Sequence, residues 1–298
     1  MEKFYLGLIL RNGDILHNPF ATTHEDLEYK FEEETKKFEY FKVTYVPQEM
    51  FMLHELDNYK LIIDEVFIPD WFNDSMRDDV VEKFKKIIKS MFVLGKKKIL
   101  LNEGAILLKK ANIEVVKGSI IFGMYDASKI NVLDYNSAVN LMTDKTLIKN
   151  MVSNSKVLQM FGASKIENMR DRSMILKMYG DSNVTNMRNR SKIDVLKGGA
   201  NIEEMRNFSK TKMVKHMSRV EKMFDHSYIE EMWDWSIVAE MHGNSQINYM
   251  DDDSKVLEMR DNSVVNEMYG ESVVQRLYEN SLVRKINDKA KIIQSKLK

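Results

Sequence analysis

Ser164-Lys165-Ile166-Glu167-Asn168-Met169-Arg170-Asp171-Arg172 is one unit of this chain, and Ser182-Asn183-Val184-Thr185-Asn186-Met187-Arg188-Asn189-Arg190 follows eighteen residues later. The nine-residue period runs nineteen times across residues 119–286 with no insertion or deletion. Slot one is Ser in seventeen units, with Thr146 and Ala200 as exceptions. Slot three is Ile or Val in eighteen, with Thr211 as the exception, and slot six is Met in fourteen. A fixed period with fixed apolar slots marks a repeat architecture, in which a unit buries its apolar face only by stacking on its neighbours.

The local pattern predicts strand. Ser-x-Ile/Val places a small and a β-branched side chain on one face at period two, which suits a pleated surface. A helix fails on register, because nine residues turn it through about 2.5 turns and throw successive slots onto opposite faces. Met lies three residues after the branched slot, an odd offset, so the chain must bend between them. The last positions of each unit are rich in turn formers, such as Gly162, Asp171, Gly180 and Asn189. Each unit therefore reads as one short strand and one corner. Gly162/Gly180/Gly198, Arg170/Arg188/Arg206 and Phe161/Tyr179 recur at eighteen, which favours two units per coil over three. Coils rising by roughly 4.8 Å each give about nine coils and a length of about 45 Å. The expected fold is mainly β: a parallel β-solenoid with its Ser, Ile/Val and Met ladders inside, capped by a small N-terminal α/β domain. The Ser hydroxyls are expected to bond a neighbouring coil, and Met fills the core.

Composition narrows the function classes. The chain has 298 residues and no Cys, which excludes disulfides, thiolate metal sites and a cysteine nucleophile. No apolar run reaches the length of a membrane span, and Met1-Glu2-Lys3-Phe4 lacks the features of a signal peptide. The expected location is cytoplasmic, with no membrane partner. All three prolines (Pro19, Pro47, Pro69) precede the repeats, as central ladder strands require. Net charge is zero but unevenly spread: residues 165–222 hold fourteen Lys/Arg against seven Asp/Glu, and residues 223–281 hold three against thirteen. Such a step gives a surface a long-range preference for charged partners and invites salt-sensitive self-association.

Residues 1–98 are aperiodic and read as the α/β cap. Phe4–Leu10 is a strand, Asn12-Gly13 turns it, and Ile15–His17 returns as a hairpin. Thr22 with Glu25 predicts a capped helix over 23–37. Phe41–Tyr45 reads as a strand stopped by Pro47, and Tyr59–Phe67 as another stopped by Pro69. Ser75 with Asp78 caps a second helix with Val80, Phe84, Ile87/Ile88 and Met91 on one face, closed by Lys96-Lys97-Lys98. Residues 99–118 form irregular first coils, since Ala111 precedes Ser119 by one residue less than the period. Residues 287–298 make a charged end.

No P-loop, GxGxxG, GxSxG or GGxGxD pattern occurs. His17, His24 and His54 in the cap lack metal-ligand spacing, and Asp251-Asp252-Asp253 reads as a solvated corner. The chain is expected to be no enzyme and to take neither metal nor cofactor. Slot seven holds Phe161, Arg170, Tyr179, Arg188, Arg206, Phe224, Trp233, Arg260, Tyr269 and Tyr278. Facing outward, these are either interface anchors or surface ladders that stabilise neighbouring coils. Trp233-Asp234-Trp235 puts two large aromatics in one corner at the charge step. The candidate partner-binding residues are Trp233, Trp235, Phe224, Arg170, Arg172, Arg188, Arg190, Arg206, Tyr179 and Tyr269.

Gly7-Leu8-Ile9-Leu10-Arg11-Asn12-Gly13-Asp14-Ile15-Leu16-His17-Asn18-Pro19, then Ile63-Asp64-Glu65 with Pro69-Asp70-Trp71-Phe72, then the repeats, together resemble uncharacterised bacteriophage and prophage proteins. Those proteins pair a short N-terminal α/β domain with a short-repeat β-solenoid. Their repeats are richer in Ala, whereas these use Ser and Met. The resemblance implies a phage product in the host cytoplasm that acts on host machinery. The expected function is a non-enzymatic, macromolecule-binding repeat protein that docks on a host protein or protein complex, in its most concrete form as an inhibitor of a host defence complex. The alternatives are a nucleic-acid-binding module using the 165–222 basic stripe, and a structural fibre or tail accessory.

Overall fold

The computed structural model describes residues 5–297. Phe4 at the head of the first predicted strand, the Met1–Lys3 reading and Lys298 of the charged end lie outside the described residues. The chain divides into two compact units, Met1–Val93 with Glu103–Ile106, and Leu94–Asn102 with Leu107–Lys298.

The first unit carries a four-stranded antiparallel sheet. Strand β1 (Tyr5–Leu10) pairs on one side with β2 (Ile15–His17) through the Asn12-Gly13 turn and on the other with β3 (Tyr40–Pro47), which pairs with β4 (Tyr59–Ile63). Helices α1 (His24–Lys30), α2 (Glu32–Lys37) and α3 (Asp74–Ser90) complete it. The core is aromatic: Tyr45 stacks on Tyr59 at 5.0 Å and on Phe84 of α3 at 5.1 Å between ring centres.

Five local expectations are corrected here. The helix expected over 23–37 breaks at Phe31, which packs against the core of Leu6, Leu8 and Leu27. Its cap is Thr23 with Asp26, one residue later than Thr22 with Glu25. Asp26 N–H donates to the Thr23 hydroxyl, and the Asp26 carboxylate accepts from the Thr22 and Thr23 amides. The cap of α3 is Asn73, whose side chain accepts from Met76 N–H, leaving Ser75 inside the first turn. Strand β4 ends at Ile63 because Glu65 curls back and its carboxylate takes the Lys42 amide that a longer strand would need. Val66 and Phe67 are consequently exposed. Lys96-Lys97-Lys98 does not close α3, which ends at Ser90; the lysines begin a strand, Lys96–Leu101.

The second unit is the solenoid, and the chain's two parallel sheets have twelve strands each. Seventeen of the nineteen repeats form a five-residue strand over slots two to six, as in Lys165–Met169 and Asn183–Met187, and the strands Lys129–Asp134 and Val273–Glu279 run on into the corner. Strands pair at a spacing of eighteen: Lys165 lies beside Asn183, Ile166 beside Val184 and Met169 beside Met187. Two units therefore make one coil. Alternate units build opposite walls, wall one from strands such as Lys165–Met169 and wall two from strands such as Met174–Met178. The ladder pairs slots two, three, five and six and skips slot four. That local bend turns slots four and five both outward and resolves the odd offset, so Ile166 and Met169 are both fully buried.

The corner has one recurrent device. Slot eight has positive φ in every one of the nineteen units, from Asp126 at +59° to Asp288 at +54°. Gly, Asn and Asp tolerate this region, which explains their enrichment there. Gly270 has the tightest corner: a Cβ would sit 2.7 Å from Asp252 N. The slot-one amide then donates to the preceding slot-seven carbonyl, as Ser173 does to Arg170 at 3.2 Å. Where a slot-one hydroxyl has a partner, it is chiefly this same carbonyl within its own corner, 2.7 Å for Ser173 and Ser191. Only some, such as Ser218 to Leu196 O at 3.2 Å, also reach the neighbouring coil. The expected bond between coils is thus mostly not formed: ten buried slot-one hydroxyls, including Ser164 and Ser182, have no hydrogen-bond partner among the described residues, and those that do bond chiefly clamp their own corner.

The coils before the array are shorter. Lys96 pairs with Asn112 and Asn112 with Lys129, sixteen and seventeen residues apart, before the spacing settles at eighteen with Lys129 and Leu147. The residue missing from the second of these coils lies in the corner around Gly118. These strands, with Lys291–Leu297, extend the solenoid to about eleven turns. Among the described residues no helix is long and apolar enough to cross a membrane.

Candidate binding edges

Because units alternate between walls, corners alternate between two edges. The corners leaving wall one stack Arg170, Arg188, Arg206 and Phe224 in slot seven, with Arg172 and Arg190 in slot nine. This is the arginine edge. The corners leaving wall two stack Tyr179, Trp233 and Tyr269 in slot seven, with Trp235 in slot nine. This is the tryptophan edge. The ten candidate residues therefore form two groups separated by the width of a five-residue strand, roughly 17 Å.

The slot-seven aromatics are mostly ladders. Phe161 stacks on Tyr179 at 4.6 Å, Phe224 on His242 at 5.0 Å, and Trp233 packs at 5.2 Å on Tyr249, which stacks at 5.1 Å on Tyr269. Arg206 lies over the Phe224 ring at 4.1 Å. Trp233 donates its indole N–H to Glu231 at 3.0 Å, and Tyr269 its hydroxyl to Glu267 at 2.7 Å. These rings are half-buried and stabilise adjacent coils. The open corner aromatics are Trp235 in slot nine of the tryptophan edge, 64% exposed, and on the arginine edge Phe208 in slot nine, 56% exposed, and Tyr135 in slot eight, several coils earlier. Phe208 was missed in the sequence because slot nine shows no consensus; only its two-residue separation from Arg206 marked it as a neighbour of the basic stripe.

Charge is sorted by edge and wall more sharply than by stretch of chain. On wall one the cations of the basic stretch are compensated. Lys165 lies 3.7 Å from Glu203, Arg219 grips Glu221 at 2.5 and 2.9 Å, and Lys222 lies 3.6 Å from Glu240. Arg206, on the arginine edge itself, reaches back to Glu204 at 2.8 Å. That hydrogen bond holds the Glu204 carboxyl below its ordinary range. By contrast, among the described residues none of Arg170, Arg172, Arg188 and Arg190 forms an ion pair, and all four are exposed. The one carboxylate among them, Asp171, is held by neutral donors, the Ser153 amide at 3.3 Å and the Asn189 side chain at 3.1 Å. Lys177, Lys192, Lys210 and Lys212 continue the positive surface onto wall two, and of these four only Lys192 forms an ion pair among the described residues, with Asp194 at 2.6 Å.

The tryptophan edge is acidic near Trp235. Asp234 accepts from the His216 amide at 3.1 Å and from its imidazole at 2.7 Å, while Asp252 accepts from the Asp234 amide at 3.3 Å. Asp251 accepts from the Tyr249 hydroxyl at 2.6 Å. The Asp triplet is thus largely spent on closing corners. Among the described residues no group of three His, Cys, Asp or Glu gathers as a metal site. In the first unit, His24 is buried with Nε2 2.9 Å from Val43 O, a structural hydrogen bond. Burial keeps His17 neutral, with its pKa lowered to about 4. Comparison with family models, with curated proteins and with solved structures gives no match for this chain.

Proposed function

We propose that this chain is a non-enzymatic binding protein whose solenoid docks a macromolecule with an anionic contact surface along the arginine edge and the adjoining face of wall two. The observation that carries this reading is the set of four exposed arginines without ion pairs, stacked in adjacent coils around a carboxylate already engaged elsewhere. Like charges one strand spacing apart repel, whereas wall one relieves the same repulsion with its own carboxylates. An anionic partner supplies that relief. The solenoid presents the charges rigidly, so little ordering entropy is lost on docking. The phage resemblance adds a finer reading, in which the partner is a host defence complex in the host cytoplasm.

The test is affinity capture from host-cell lysate at low and moderate salt, with and without nuclease. The expected result is a stoichiometric partner that is retained at low salt, weakened at moderate salt and lost from the Arg172→Glu/Arg190→Glu protein. Capture unchanged by that double variant sinks the arginine-edge reading. The tryptophan edge is a second reading favoured by the exposure of Trp235. There, loss of the partner on Trp235→Ala, with Arg172→Glu/Arg190→Glu unaffected, moves the docking surface to the opposite edge.

A further inference from the structure

Arg172, Arg190 and Phe208 occupy slot nine of three successive coils on the arginine edge. With Asp171, Asn189 and Asn207 of slot eight they line a cleft of about 390 Å³. A second cleft of about 320 Å³ continues onto wall two between Arg190, Lys192, Phe208 and Lys210. Phe208 belongs to both. One face of its ring stacks on His226 of the next coil at 5.2 Å and 18°. The other side borders the clefts it shares with Arg190.

We propose that this double cleft binds single-stranded nucleic acid, with phosphates on Arg172, Arg190, Lys192 and Lys210 and a base stacked on Phe208. The proposal rests on the anionic-partner reading and names the class of partner. Two features separate it from a generic basic patch. First, an exposed, pre-stacked aromatic ring lies inside the cationic cleft, the combination of stacking platform and backbone-tracking groove that single strands use. An aromatic ring can also anchor a protein contact, so polyglutamate, which offers negative charge without bases, separates the two partners. Second, the bases of a duplex are already stacked inside it and cannot reach Phe208, and the solenoid edge offers no protruding helix or ribbon to enter a groove. The neutral slot-eight amides of Asn189 and Asn207 lie in the cleft floor, each donating to the slot-eight residue of the preceding coil, Asp171 and Asn189, at 3.1 Å. The floor is therefore fixed, and Asp171 is its one carboxylate, outnumbered by Arg172 and Arg190 in the same lining.

The experiment is fluorescence polarisation of the full chain with a fluorescein-labelled twenty-mer of oligothymidylate, in 50 and 200 mM salt. Duplex DNA of the same length and polyglutamate serve as competitors. Phe208→Ala is expected to weaken binding about tenfold without changing the salt slope. Arg172→Glu/Arg190→Glu is expected to weaken it more and to reduce the salt slope by about two. Lys165→Glu, a wall-one cation, is expected to leave both unchanged. Thermal unfolding followed by circular dichroism checks that each variant is folded; Phe208, Arg172 and Arg190 are surface residues, so their loss leaves the interior ladders intact. If duplex or polyglutamate binds as tightly as the single strand and Phe208→Ala has no effect, the single-strand assignment is overturned while the anionic-partner reading stands. If no polyanion binds at 50 mM salt, both fall.

Discussion

At the arginine edge, slot seven of three successive coils is Arg170, Arg188 and Arg206. Half a coil further on, at the tryptophan edge, it is Tyr179, Lys197 and Lys215, and then Trp233, Asp251 and Tyr269. Both edges use the same turn, with positive φ at slot eight and the slot-one amide closed on the slot-seven carbonyl. The backbone plan thus says nothing about chemistry, and the side chains decide it. The arginine edge leaves charges uncompensated around a cleft. The tryptophan edge spends its carboxylates on amides and hydroxyls of its own corners, lays Lys197 over the Tyr179 ring and buries most of its aromatic surface in ladders, leaving Trp235 and Lys215 out. A surface whose polar groups are already satisfied is built for stability, whereas one with unpaired charge is poised for a partner.

The comparison breaks first if the shared interior is not shared. Ile202→Ala on wall one and Ile193→Ala on wall two are expected to cost 2–5 kcal/mol each, about equally, by urea denaturation. A wall that tolerates its truncation would show the two sheets to be unequal partners. Next comes the corner: Gly270→Ala on the tryptophan edge, at φ +59° with a Cβ 2.7 Å from Asp252 N, is expected to cost about 2 kcal/mol. Asn207, at the same slot on the other edge, already carries a side chain at φ +59°.

Charge reversal sharpens the contrast between edges. Arg190→Glu is expected to weaken binding of a polyanion at least tenfold, about 1.4 kcal/mol. Lys215→Glu, at the opposite edge, is expected to change it less than twofold in the same titration. The two tryptophans differ in the same sense. Trp233→Ala loses a ring contact and the Glu231 hydrogen bond and is expected to lower stability by about 1–2 kcal/mol. Trp235→Ala is expected to stay within about 0.5 kcal/mol in thermal denaturation, so any functional loss there reports binding. A change of opposite sign concerns Thr211, the polar exception in slot three. Its buried hydroxyl reaches only the Met205 sulfur at 3.6 Å. Thr211→Val is expected to raise stability by about 1 kcal/mol.

The solenoid was legible because its period is exact in the chain, and because slots three and six are apolar in unit after unit. The first unit was less so. Thr22 with Glu25 and Thr23 with Asp26 offer the same three-residue cap spacing, and only the backbone at Thr23 and the reach of Asp26 to two amides choose between them. Strand β4 looked longer because Val66, Phe67 and Ile68 are apolar; no local pattern announces that the Glu65 side chain replaces a backbone partner. At the candidate site, the arginines were visible in slots seven and nine, but Phe208 was hidden by the absence of a consensus in slot nine.

By itself, then, the sequence determined the coil length, the interior ladders and the left-handed corner residue, because each of these is a constraint that every unit must satisfy. Only the tertiary structure decided which outward residues are neighbours. Parallel pairing at eighteen residues sets Arg172 beside Arg190 and Phe208, and sends Trp233 and Trp235 to the far edge, although Phe224 and Trp233 are one repeat apart in the chain. Most of the basic excess of residues 165–222 is thereby gathered on one edge and one wall, with Lys197 and Lys215 left on the tryptophan edge. On the other wall, the cross-strand carboxylates Glu203 and Glu240 and the same-strand Glu221 pair with the cations and cancel it.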